Sequence, residues 1–118
     1  MRAIPQRLKR ELEQDPWYKR CCITGKTQEK IEWHHNFIFA GRQVNEKWCI
    51  LPLSKPIHDR EKEKEIKMKL NWIMINRADD ETLKKYSKAM DLLEIKELLN
   101  KKFGEFDPWK RYEIKTWH

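Results

Sequence analysis

Apolar residues recur at helical spacing near the start of the chain, at Ile4, Leu8 and Leu12, with Pro5 suited to a first turn and Asp15-Pro16 a natural stop. The spacing predicts a short amphipathic helix over about 5–14. After a turn region holding Cys21, Cys22, Thr24 and Gly25, the segment Ile31-Glu32-Trp33-His34 reads as a short strand. A mixed stretch punctuated by Gly41 leads to Trp48-Cys49-Ile50-Leu51-Pro52-Leu53, an apolar run of strand length whose last part Pro52 assigns to an edge or an exit. Ser54 is placed to cap a helix, and Ile57 to Ile75 contains neither Gly nor Pro, which predicts one long helix from about Lys55.

The two halves of that predicted helix differ. Asp59 to Glu65 is entirely charged, whereas Ile66, Leu70, Ile73 and Met74 form a stripe that faces a core. Asp79 or Asp80 caps a further predicted helix with Leu83, Tyr86, Met90 and Leu93 on its apolar face and Gly104 as its stop. The two helices are expected to pair antiparallel. The tail from Glu105 carries Trp109, Tyr112, Ile114 and Trp117 among charges, and its pattern assigns no structure.

With 118 residues, one domain spanning 1–118 is expected. Its 39% hydrophobic content and six Trp suffice for a thin core, and no stretch has the length of a membrane span or of a secretory signal. A cytoplasmic protein without membrane contact is the expectation. The net charge of +7 favours a polyphosphate partner without separating an enzyme from a binder. Three cysteines, two of them adjacent, make a disulfide framework a poor reading; buried thiols packing the strand pair suit them better.

Three of the four histidines, His34, His35 and His58, fall within 25 residues. Neutral imidazole ligates metals and also exchanges protons near neutrality, so the cluster suits either ion binding or general-base work. Glu32 lies two residues before His34, on the same strand face, where it would orient that imidazole.

The order Glu32-Trp33-His34-His35, a loop with Gly41, Ile50-Leu51-Pro52-Leu53 and then His58 resembles the ββα-metal core of HNH endonucleases of the small bacterial and bacteriophage type. Cys22-Ile23-Thr24-Gly25 extends the likeness upstream, so that it covers about 21–62 and leaves a helical extension of about 66–103 outside it. The resemblance implies an α+β fold: a short β-hairpin plus helix, the ββα-metal core, embedded in a mostly helical small domain. It further implies a metal-dependent endonuclease that hydrolyses DNA phosphodiester bonds, in a bacterial cell or a phage-infected host. His34 and His58 would hold one divalent ion, Mg²⁺ or Mn²⁺ first and Ni²⁺ or Zn²⁺ next, and His35 would be the general base. Asp59 joins Glu32 as a possible additional ligand or support, and Arg42, Lys47, Arg60 and Lys62 are the candidates for neighbouring phosphates, with DNA the partner.

The chain departs from the family pattern at three points. The middle Asn of the family aligns with Cys49, and Asn45 stands four residues early. Gly25, Ser54 and Ile57 stand where many relatives carry the partners of a structural zinc. Lys62 stands where some relatives place a further ligand, which implies weak metal affinity unless Asp59 or Glu32 is recruited. The alternative to a nuclease is a non-catalytic nucleic-acid-binding or structural zinc-binding module with the same fold. A less favoured one is an adaptor that binds a protein through the charged helix. The pattern leaves oligomeric state and the form of the nucleic acid open.

Overall fold

The computed structural model describes residues 4–27, 30–39, 41–87 and 90–107. The aromatic tail residues Trp109, Tyr112, Ile114 and Trp117 lie outside the described residues. Helix α1 (Gln6–Gln14) buries Leu8 and Leu12, the stripe expected of it, and Asp15 then accepts from the Trp17 amide to start a 3₁₀ turn over Pro16–Lys19. Strands β1 (Ile31–His35) and β4 (Ile50–Ser54) pair antiparallel, with Glu32 opposite Leu53 and His34 opposite Leu51. Between them, β2 (Ile38–Phe39) and β3 (Arg42–Gln43) make a small hairpin through Gly41, whose φ of 78° is in the left-handed region that a glycine enters freely. Pro52 sits inside β4, opposite Trp33, in a sheet that has only edge strands; its carbonyl accepts from the Cys22 amide.

The expected long helix is two. Helix α2 (Lys55–His58) ends after one turn, and α3 (Lys64–Arg77) starts at Glu63, whose ψ of 134° is extended. The charged stretch between them closes by amides bonding three residues back, Arg60 to Ile57, Glu61 to His58 and Glu63 to Arg60. That geometry eclipses side chains three apart, so Glu61 lies against His58 and Glu63 against Arg60. In α3, Ile66, Leu70, Ile73 and Met74 are buried as the stripe requires, and Trp72 and Ile75 are buried as well, so the helix is enclosed on several sides.

The second expected helix is also divided, because Asp79 and Asp91 each cap their own start: α4 (Asp80–Lys85) from the Asp79 carboxylate and α5 (Leu92–Phe103) from that of Asp91. Gly104 ends α5 at a φ of 94°, where the stop was expected. Helices α3 and α5 run antiparallel, since Trp72 meets Phe103 while Met74 and Ile75 share a groove with Leu92 and Ile95. Asn100 joins them, its carbonyl accepting from the Trp72 indole at 2.7 Å and from the Asn76 amide at 2.8 Å. The three cysteines are free thiols inside the core. No helix among the described residues is long and apolar enough to cross a membrane.

Removing the Asn100 carbonyl strands the part-buried Trp72 indole and takes one of two acceptors from the Asn76 amide, which keeps the Trp72 carbonyl. Asn100→Ala is expected to cost about 2 kcal/mol in a urea unfolding series. The exposed Glu97→Ala on the same helix should stay within about 0.5 kcal/mol of the parent.

Candidate metal centre

Strand alternation puts Glu32 and His34 on one face of β1, and the chain leaves β4 through Ser54 into the single turn of α2, which carries His58 back over that face. The rings of His34 and His58 stand 5.2 Å apart between centroids. The tight turns after α2 swing Glu61 to the same point. Its Oε2 lies 2.7 Å from His34 Nδ1 and 3.4 Å from His58 Nε2. The three donors lie within 4.8 Å of one another, and theirs is the group among the described residues with the ligands for an ion. No cysteine belongs to it.

Two observations bear on whether these donors could hold a metal ion. His34 Nδ1 and Glu61 Oε2 are buried and close, yet neither makes a hydrogen bond of proper geometry, as expected of lone pairs aimed at a shared point rather than at each other. The Glu32 carboxylate takes His58 Nδ1 at 2.9 Å, which fixes the proton there and leaves Nε2 as the free lone pair facing Glu61. Glu32 therefore orients His58 rather than the His34 expected from their shared strand face. Burial holds the His34 pKa below its ordinary 6.5; Glu61 pulls the other way, His58 and His35 reinforce the lowering, and a hydrogen bond to Asn36 opposes it.

His35 projects from the opposite face of the strand, buried, and stays outside the ligand group. Its Nε2 meets the Asn45 side-chain oxygen at 3.0 Å. With that carbonyl accepting, Nε2 carries the proton and Nδ1 is the basic nitrogen. Asn45, not Cys49, is thus the residue that braces the histidine; Cys49 is fully buried, and burial raises its thiol pKa far above the ordinary value. The loop bearing Asn45 is fixed on both sides. Glu46 accepts from the Trp48 indole and the Tyr86 hydroxyl, while the Lys47 ammonium pairs with Asp15 at 2.7 Å and its carbonyl accepts from Tyr18. Burial and Glu46 push the Tyr86 pKa up to about 12.

Several expected positions fall elsewhere. Asp59 is not in the ligand group: it is exposed and bonded by Lys55 at 3.0 and 3.1 Å, because one turn of helix sets those two residues side by side. Glu61 occupies the role, and the charge run hid it, since an unbroken helix would also have placed it three residues past His58. Two of the four expected phosphate contacts are engaged internally, Lys47 by Asp15 and Arg60 by Glu63 at 2.7 Å, whereas Arg42 and Lys62 are exposed. No protein family, curated protein or solved structure matches the chain.

In a Co²⁺ titration, Glu32→Gln is expected to weaken the ion by about 10–100-fold, because the imidazole it orients loses its partner. Asp59→Asn should leave affinity unchanged. In the metal-free protein, imidazole NMR should show His34 gaining its proton below the ordinary 6.5. The unfolded chain then binds more protons than the folded one through that interval. Stability is therefore complete above the ordinary pKa and declines as pH falls through the lowered one.

Proposed function

We propose that this protein is a metal-dependent endonuclease of the HNH type that hydrolyses phosphodiester bonds in DNA. The observation that carries the reading is the division of labour along one strand: His34 converges with His58 and Glu61 on a single point, while the next residue, His35, is kept away from that point with one nitrogen tied to Asn45. A divalent ion held by His34, His58 and Glu61 would supply Lewis acidity to a phosphate oxygen and to the leaving sugar oxygen.

The protein's own groups do the rest. His35 Nδ1 takes a proton from the attacking water as the new oxygen–phosphorus bond forms, and the bond to the leaving sugar oxygen breaks on the far side of phosphorus. Asn45 is a positioning residue: its carbonyl holds Nε2–H, fixes the tautomer and accepts from the imidazolium that results. Glu32 keeps His58 turned inward, and Arg42 and Lys62 are available to neighbouring phosphates. The sign of the net charge, +7, matches a polyanion.

Plasmid nicking measured across Mg²⁺, Mn²⁺, Ni²⁺ and Zn²⁺ tests the reading. Wild type is expected to nick with at least one of these ions and to stop in EDTA, and His35→Ala should lose about 10²–10⁴-fold in rate while still binding DNA. DNA binding with no cutting under any of the ions would instead favour the non-catalytic module.

A further inference from the structure

Beside the metal centre, a groove of about 330 Å³ runs between β2, α3 and α5. Its walls are apolar, with Phe37, Ile38, Met74 and Met90 among the lining residues, and the fold leaves Ile38 56% and Met90 59% exposed there. At one side stand two amides. Asn36 donates to the Asn71 side-chain oxygen at 2.9 Å, which leaves the Asn71 amino group free to donate. Lys67, one turn before Asn71 on α3, adds an ammonium to the lining.

One residue links the groove to the strand that carries His34. Asn36 lies two residues past His34 in the chain, donates to Asn71, and lines the groove. A phosphodiester at His34 therefore has the groove within reach of its own or its neighbouring nucleoside. The lining suits a nucleobase: apolar surface for the ring faces, an amide donor for a ring edge, and a cation for the adjoining phosphate. A paired base in a duplex is stacked inside the helix, so it cannot enter such a groove without leaving the stack.

We propose that this groove receives an unstacked nucleobase flanking the scissile phosphate, so that the substrate is nucleic acid with an unpaired nucleotide at the cut: a single strand, a flap or a bulge. The proposal rests on the reading of His34, His58 and Glu61 as the phosphate-side centre. It adds the class of nucleic acid on which that centre acts.

The test uses the double variant Ile38→Ser/Met90→Ser, which alters two exposed side chains and none of the ligands. Binding is read first, in EDTA, with a single-stranded oligonucleotide carrying a fluorescent base analogue. The expected result is a saturable change in its fluorescence with wild type, an affinity about tenfold weaker in the variant, and little change with the fully paired duplex of the same sequence. Cutting is read second, with Mn²⁺, on single-stranded, bulged and fully paired versions of one sequence. Wild type should prefer the unpaired forms by at least about tenfold, and the variant should lose that preference while its Co²⁺ affinity is unchanged. Equal binding and cutting of paired and unpaired forms, or a variant that keeps the wild-type preference, would overturn the proposal; the latter is also the result if the groove docks a protein. A base-analogue signal that the variant loses, with no cutting of any substrate, would sink the hydrolytic reading and leave the groove standing. Ready cutting of intact duplex that the variant does not alter would do the reverse.

Discussion

The register between β1 and β4 governs everything that the candidate centre needs. Setting Glu32 against Leu53 and His34 against Leu51 puts the acidic and imidazole side chains of β1 on the face across which the chain returns after Ser54, so a single turn of helix suffices to deliver His58. A slip of one residue would exchange that face for the other and bring His35 and Trp33 to the ligand side. Every residue of β4 is buried, with the adjacent Ile50 and Leu51 on opposite faces, so the strand pair is packed on both sides. The geometry of the imidazoles is thus inherited from hydrophobic packing at the strand pair.

The ligand side of the centre is built from short-range pieces. Glu61 reaches His34 and His58 because the backbone between α2 and α3 tightens into turns that bond three residues back, and Glu63 then resets the chain into a new helix. The stretch is solvent-facing and charged, so no apolar contact resists the tightening. The surroundings of His35 are built from long-range pieces: Asp15, Tyr18 and Tyr86 all converge on the two residues after Asn45.

Much of this is legible in the amino-acid order. The stripe of Leu8 and Leu12, the strand at Ile31 and the stop at Gly104 follow from periodicity and from residues with restricted backbones and are realised, and the apolar run Trp48 to Leu53 becomes a strand from Ile50 onward, its first two residues lying in a 3₁₀ turn. The resemblance read from the sequence led to the expectation that His34 and His58 approach each other, and their rings stand 5.2 Å apart. Three features are not legible. Neither helix break carries a Gly or Pro; the first depends on side-chain pairing between Arg60 and Glu63 and the second on Asp91 capping a new start. Glu61 is one acid among many in a charge run, and its spacing of three from His58 does not single it out. Spacing alone favours Cys49 over Asn45, yet the loop between the strands takes up the extra residues in a 3₁₀ turn over Lys47–Cys49, which buries Cys49 and leaves Asn45 beside His35.

The bracing of the Asn45 loop has a consequence for how the two halves of the chemistry are wired into the chain. Glu32, His34, His58 and Glu61 derive from the strand pair and the turns after it, whereas the partners that steady Asn45 come from the N-terminal 3₁₀ turn and from the end of α4. The His34, His58 and Glu61 group and the His35–Asn45 contact are therefore underwritten by different parts of the molecule. On the proposed function, substitutions in the outlying helical segments would tune turnover and leave the three grouped side chains in place, so that rate and appetite for metal would be free to drift independently.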